Sequence, residues 1–184
     1  MKTTNTFTIK AIILTLIVLF SSVSMINAQN NKTNKSVVVG DRIPSFTLND
    51  QDGKPFDINT VVGKDKLVIY FYPKDETPGC TKEACAFRDQ YEAFKQVDAL
   101  VIGISGQSVE SHKAFAENHH LSFTLLSDEG NKVRSLFGVP TAMGIPGRVT
   151  YIVDLSGKVV YIFNSLSEPE KHVSEAIRVL RGMK

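Results

Sequence analysis

The chain has 184 residues, of which 42% are apolar and 22% charged, as in an ordinary soluble globular domain. This favours one domain with its own core and excludes a collagen-like, coiled-coil or wholly disordered chain. Residues 1–28 carry two lysines and no acid, which leaves 19 basic and 19 acidic side chains in the remainder. Since those charges balance and form no basic block, we expect no nucleic acid partner.

Residues 1–28 have the pattern of a secretory signal peptide: two lysines, a ten-residue run that is almost wholly apolar, and a small residue, Ala28, for cleavage. A spanning helix needs roughly 20 apolar residues, so the run is short for an uncleaved membrane anchor, which stays an alternative. The pattern predicts an exported protein of the periplasm or cell envelope. Residues 29–36 are polar and indicate a linker to a domain at 37–184.

The domain begins with an alternating stretch over 45–58 that is broken by a turn and predicts a short N-terminal β-hairpin. Two continuous β-rich runs, at 67–72 and 99–104, predict strands buried on both faces. Between them, 82–96 has the apolar spacing of a helix. A strand, helix and strand in succession form a βαβ unit, so we expect the two strands to be parallel.

The second half of the domain continues with helices, strands and a final helix that starts with a capping box at Ser167 and Glu170. The predicted elements are helices over 109–118 and 131–137 and strands over 122–126, 149–153 and 158–163. A βαβ half followed by a ββα half is the order of the thioredoxin-like fold. We therefore predict an α/β domain with a central mixed β-sheet flanked by helices on both faces.

The candidate reactive group is Cys80, between the first buried strand and the next helix. Ligand sites of open α/β sheets lie at the carboxyl ends of the strands, where this segment is expected. Thr77 followed by Pro78 predicts a helix start that makes Cys80 the third helical residue, among unpaired N–H groups that favour a thiolate. The alternative is a small buried core residue, as free cysteines often are.

Cys85 follows Cys80 by five residues. On one helix their Cα atoms would lie ~8.6 Å apart, whereas a disulfide needs Cα atoms within about 7 Å. The spacing thus predicts a switch between a reduced, helical form and an oxidised, locally unwound form. Alternatively, Cys85 only packs in the interior.

Three of these residues, Pro73, Thr77 and Cys80, stand in the pattern P-x-x-x-T-x-x-C. The segment 147–154, which contains Arg148, is similar to the strand that bears the arginine of the peroxiredoxins. Residues 37–184 as a whole resemble a peroxiredoxin. The spacing of the two cysteines resembles the Q-type subfamily, the bacterioferritin comigratory proteins.

The resemblance implies a thioredoxin-dependent thiol peroxidase that reduces hydrogen peroxide and organic hydroperoxides. It implies that Cys80 attacks the peroxide and becomes a sulfenic acid, and that Cys85 resolves it as an intramolecular disulfide. Thr77 and Arg148 would stabilise the reacting atoms, and Pro73 would shield the thiolate. A thioredoxin-like dithiol would reduce the disulfide. Q-type relatives are often monomers, and we expect no cofactor and no metal.

The alternatives are a redox sensor or a disulfide-exchange module on the same fold, which turnover would distinguish from an enzyme. The absence of a CxxC motif argues against a thioredoxin-type reductase. Three histidines at 112, 119 and 120 lack the spacing of a zinc site. Arg148 would otherwise be a strand residue in a surface ion pair, and Thr77 no more than a helix cap.

Overall fold

The structure, a computed structural model, describes residues 36–183. The predicted leader and all but the last residue of the predicted linker lie outside this range. The strands are β1 (Thr47–Asp50), β2 (Pro55–Asp57), β3 (Lys66–Phe71), β4 (Ala99–Ser105), β5 (Thr124–Ser127), β6 (Thr141–Ala142), β7 (Ile145–Pro146), β8 (Val149–Val153) and β9 (Val159–Asn164). The α-helices are α1 (Pro78–Asp89), α2 (Tyr91–Lys95), α3 (Val109–Asn118), α4 (Lys132–Phe137) and α5 (Pro169–Gly182), and a 3₁₀ turn lies at Ile58–Thr60.

Seven strands form one mixed sheet in the order β2-β1-β5-β4-β3-β8-β9. β4 pairs in parallel with both β3 and β5, and the other four strand pairings are antiparallel. The predicted thioredoxin-like arrangement, the parallel β3–β4 pair and the N-terminal hairpin are confirmed. β6 and β7 pair separately, in a short ribbon that directly precedes β8.

The sheet is buried on both faces, which explains the unbroken apolar runs of its central strands. Successive side chains of β3 point to opposite faces. On one face Tyr70 stacks on Phe87 of α1, with ring centroids 4.6 Å apart, in a core completed by α2, α3 and α5. On the other face Phe71 contacts Phe137 of α4, with ring centroids 5.0 Å apart. β3 is therefore a rigid base for the segment that follows it.

Three sequence predictions differ from the structure in detail. The helix expected over 82–96 is two helices that meet at Gln90, and the strand expected over 122–126 is β5, shifted toward the C-terminus. The capping box at Ser167 does not form. Glu168 stands at the N-cap of α5 without a capping hydrogen bond, because its carboxylate accepts from Ser165 and Lys171 instead.

Within residues 36–183, no helix combines the length and the apolar character that a transmembrane span requires.

Candidate active site

Cys80 lies where β3 has ended and α1 begins. Pro78 opens the helix, so Cys80 is its third residue, as predicted, and only 2% of it is exposed. Thr77 stands at the N-cap position with extended backbone, but its hydroxyl makes no capping bond and donates to the carbonyl of Lys74 at 2.9 Å. The expected helix start is confirmed, whereas the Thr77 side chain stabilises the loop before the helix.

Arg148 directly precedes β8, the strand that lies antiparallel beside β3. In this pairing Val149 is opposite Phe71, so the residue before β8 lies beside the residues that follow β3. The guanidinium Nη2 of Arg148 donates to Cys80 Sγ at 3.4 Å. A side chain at Gly79 would place its Cβ 3.2 Å from the same Nη2, so the guanidinium would have to shift by a few tenths of an ångström to make room. The fold thus joins two predicted site residues that are far apart in sequence.

Glu83 holds the other end of the guanidinium. Nη1 of Arg148 donates to Glu83 Oε2, and the Glu83 side chain is fully buried. Burial raises the pKa of Glu83 to about 8, although the charge of Arg148 lowers it in part. For Arg148, burial alone would lower the pKa, but the charges of Glu83 and Cys80 raise it above its usual range. The buried Glu83 side chain thereby aims the charged fork of Arg148 at Cys80.

His172 of α5 is the next residue of this buried group and lies beside Glu83. Its Nε2–H donates to the carbonyl of Ser165 at 2.9 Å, and the hydroxyl of Thr150 lies 2.7 Å from its Nδ1. Glu83 Oε1 is 3.7 Å from the same Nδ1 and has no hydrogen-bond partner among the described residues. Burial lowers the pKa of His172 to about 4, so the ring is neutral near pH 7. It adds no charge beside Arg148.

Sequence reasoning missed Glu83 and His172. Glu83 is three residues after Cys80, and side chains at that spacing share a helix face, so this signal was available. His172 comes from the last helix, and no local pattern connects it to Cys80.

The ionisation of Glu83 gives a testable pH dependence of stability. Its pKa is about 8 in the fold, against an ordinary 4.5, so between these values the folded chain binds a proton that the unfolded chain lacks. Stability due to this group therefore falls as pH rises toward 8. His172, whose pKa is lowered from 6.5 to about 4, has the opposite effect: its contribution to stability rises with pH, but only up to about pH 6.5. We expect denaturant midpoints of the wild type to fall more between pH 6.5 and 8 than those of Glu83→Gln. Equal slopes for the two proteins would contradict the raised pKa.

Arg134 fixes the two chain segments that meet at the site. Its Nη2 donates to the carbonyl of Tyr72, at the end of β3, at 2.7 Å, and its Nη1 donates to the carbonyl of Gly147 at 2.9 Å. These carbonyls immediately precede Pro73 and Arg148. Arg134 thus fixes the start of the β3–α1 loop and the backbone before Arg148 relative to each other. Pro73 itself is half-buried, at the first position of that loop.

Both acidic residues before Cys80 are paired with histidines. Asp75 is buried and accepts from His112 at 2.8 Å, and Glu76 accepts from the Nε2 of His119 at 2.9 Å. Both carboxylates are thereby held by hydrogen bonds within the fold, and those hydrogen bonds lower the pKa of Asp75 and of Glu76. His112 also directs its Nε2 to the carbonyl of Leu126 at 3.2 Å, so both its ring nitrogens are engaged within the fold.

Cys85 lies on the same unbroken helix as Cys80 and is half-buried. Both thiols are free, and no disulfide joins them. This is the arrangement that the reduced, helical form would have, and the switch itself stays a prediction.

Comparison with known proteins places this geometry in a family. Residues 39–162 match the AhpC/TSA family. The chain is 52% identical over 158 residues to the chloroplastic peroxiredoxin Q of Sedum lineare, covering 85% of this chain and 84% of the relative. The crystal structure of the peroxidoxin BcpB of Mycobacterium tuberculosis is similar with a TM-score of 0.76 and 35% identity, over 80% of this chain and 99% of that one. The bacterioferritin comigratory protein of Xanthomonas campestris aligns with a TM-score of 0.69 and 28% identity, over 74% of this chain and 90% of that one.

The relatives correct one expectation from the sequence. Residues 1–28 led us to predict an exported protein of the periplasm or cell envelope. That prediction is wrong: the relatives at 52–54% identity from Sedum lineare, Populus jackii and Arabidopsis thaliana are chloroplastic proteins. An apolar run after a basic start is a pattern of composition, and composition alone does not define the membrane at which a leader is recognised.

The match over most of the domain, the identity to peroxiredoxin Q and the similarity to solved structures of the same type agree with the motif around Cys80. The chain belongs to the AhpC/TSA family and is a peroxiredoxin of the Q type, a thiol peroxidase with a thioredoxin-like fold.

Proposed function

We propose that Cys80 is the residue that attacks the peroxide and that Cys85 resolves the product within the same chain. The observation that carries this proposal is the 3.4 Å contact between Arg148 Nη2 and Cys80 Sγ at the start of α1. A guanidinium and the unpaired N–H groups of a helix N-terminus both favour a thiolate over a thiol. The thiolate is the form of cysteine that acts as a nucleophile.

The first step is a displacement on oxygen. The Cys80 thiolate forms an S–O bond to one peroxide oxygen, the O–O bond breaks, and the other oxygen leaves with the electron pair and takes up a proton. The products are a sulfenic acid and water or an alcohol. Arg148 keeps its charge throughout and stabilises the developing negative charge on the leaving oxygen. The Thr77 hydroxyl can both donate and accept, so it can hold the peroxide in line.

The second step requires α1 to open. The Cys85 thiol attacks the Cys80 sulfenic acid, an S–S bond forms, and the hydroxyl leaves as water. Because residues five apart on a helix are too distant for a disulfide, α1 unwinds locally between them. A thioredoxin-like dithiol then reduces the bridge by exchange and returns the chain to the helical form described here.

The substrates we propose are hydrogen peroxide and organic hydroperoxides. The Xanthomonas campestris relative was solved in trapped intermediate and ligand complexes that address its alkyl peroxide reduction activity.

Turnover with thioredoxin as donor tests the assignment of the two cysteines. We expect wild type to consume many equivalents of peroxide, and Cys85→Ser to consume one equivalent and stop, because its sulfenic acid has no resolving thiol in the same chain and forms no Cys80–Cys85 disulfide for thioredoxin to reduce. Mass spectrometry after trapping with dimedone should find the label on Cys80. One equivalent from the wild type as well would instead indicate a redox sensor on the same fold.

The chloroplastic relatives make a plastid the first compartment in which to test this protein for its reductant. We propose a thioredoxin-like protein of that compartment as the donor.

A further inference from the structure

We propose that Asp75 is a positioning residue through which α3 holds the loop between β3 and α1 in its reactive conformation. The loop runs from Pro73 to Thr77 and leads directly into the turn of α1 that carries Cys80. This inference rests on the proposed function, because the position of the loop matters only if Cys80 reacts with peroxide.

The carboxylate of Asp75 is buried and has three hydrogen-bond partners. It is only 3% exposed, and its Oδ1 accepts from the hydroxyl of Tyr72 at 2.7 Å. Its Oδ2 accepts from the hydroxyl of Ser111 at 2.7 Å and faces Nδ1 of His112 at 2.8 Å. Burial would raise the pKa of Asp75, but these three donors, His112 first, lower it. Two of the donors belong to α3, so the loop is bound to that helix.

His112 contacts both Asp75 in the loop and Leu126 in the sheet. The ring is fully buried, with Nε2 3.2 Å from the carbonyl of Leu126 in β5. Both ring nitrogens therefore lie within hydrogen-bond distance of oxygen atoms, one on the loop and one on the sheet. The chain of contacts from Asp75 through His112 to Leu126 connects the loop to the buried centre of the sheet.

A second attachment restrains the residue after Asp75. Glu76 has a φ of 58°, in the left-handed region that residues with a side chain seldom adopt. Its carboxylate accepts from Asn118 at 3.0 Å and from His119 at 2.9 Å, both at the end of α3. Strained backbone of this kind persists where the surroundings hold it in place. Here α3 supplies those surroundings.

These contacts act on the reacting atoms through Thr77. Its hydroxyl donates to the carbonyl of Lys74, so the position of Thr77 depends on the path of the loop between them. α1 must unwind toward Cys85 for the disulfide to form, whereas the contacts to α3 lie on the other side of Cys80. The loop can thus keep its shape while α1 opens, ready for the next peroxide.

The test compares two reactions of Cys80 in a Cys85→Ser chain. Reaction with peroxide depends on the placement of Thr77 and the loop, whereas alkylation by iodoacetamide needs only an accessible thiolate. For Asp75→Asn we expect the rate constant with peroxide to fall by about 10- to 100-fold, as misplacement of reacting groups does. The rate constant with iodoacetamide should not fall. Ser111→Ala, which removes one donor and leaves Asp75 intact, should show the same pattern with a smaller change.

His120→Asn is the matched control, since His120 is an exposed histidine at the end of the same region, with a φ of 51° that asparagine tolerates. It should react like the parent in both assays. Circular dichroism identifies folded variants, and if Asp75→Asn does not fold, Ser111→Ala decides. Peroxide rates at the parental level in the folded variants, or equal losses with both reagents, would overturn the proposal. A Cys85→Ser parent whose Cys80 does not react with peroxide would instead refute the proposed function itself.

Discussion

Replacing Cys80 by serine is expected to abolish peroxide reduction. The variant changes a single side-chain atom, from sulfur to oxygen, but a hydroxyl at the start of α1 is not a thiolate and does not displace an oxygen from a peroxide. Loss of a nucleophile typically lowers the rate by on the order of 10⁴ or more. We therefore expect the peroxide consumption of Cys80→Ser, followed with thioredoxin as donor, to equal that of the donor alone.

The same variant also tests the role of Cys85. With Cys80 absent, Cys85 is a half-buried thiol in the middle of α1, past the unpaired N–H groups of the helix start. We expect no sulfenic acid on Cys85 after one equivalent of peroxide. If Cys80→Ser still turned over peroxide through Cys85, the order of the two cysteines in the mechanism would have to be reversed.

Removing the guanidinium of Arg148 is expected to have the next largest effect. Arg148→Met keeps much of the length of the side chain but removes the donor 3.4 Å from Cys80 Sγ. Loss of one donor to a developing oxyanion costs about 10²–10³ in rate, or ~3–4 kcal/mol of transition-state stabilisation. We expect a decrease of this size in the second-order rate constant with hydrogen peroxide, measured by stopped flow. Arg148→Lys should recover only part of it, because an ammonium lacks the planar fork that contacts Cys80 and Glu83 together.

The buried partner of Arg148 complicates this variant and also supplies its control. Without the guanidinium, Glu83 is a buried carboxyl with no cation, and breaking a buried pair on one side typically destabilises a fold by about 3–5 kcal/mol. The double variant Glu83→Gln with Arg148→Met replaces the carboxyl by a neutral amide, so neither partner can be left as an unpaired buried ion, and it should regain much of that stability. Its peroxide rate should stay low. A double variant with restored activity would show that the loss in Arg148→Met reflected the unpaired Glu83 and not the chemistry at Cys80.

Much of the fold was predictable because its signals are local. The central strands β3 and β4 are unbroken β-rich runs, and the helix between them has an apolar face, so their order and parallel direction follow from general rules of chain connection. The boundaries that differ, at Gln90 and at the start of α5, depend on single backbone turns and side-chain caps. Local preferences there are weak, and tertiary contacts decide the outcome, as the Glu168 carboxylate shows by accepting from Ser165.

The sequence by itself indicated Cys80 as the candidate reactive cysteine, its place at the opening of a helix and the excessive Cα separation for a Cys80–Cys85 bridge in that helix. These follow from spacing along one short segment. Only the tertiary structure decided what surrounds the sulfur: Arg148, which reaches it because β8 lies beside β3, and the buried Glu83 that aims the guanidinium. It also decided that Asp75 is held by α3. Such contacts join residues far apart in the chain, and their geometry depends on sheet order and helix packing, which no local pattern records.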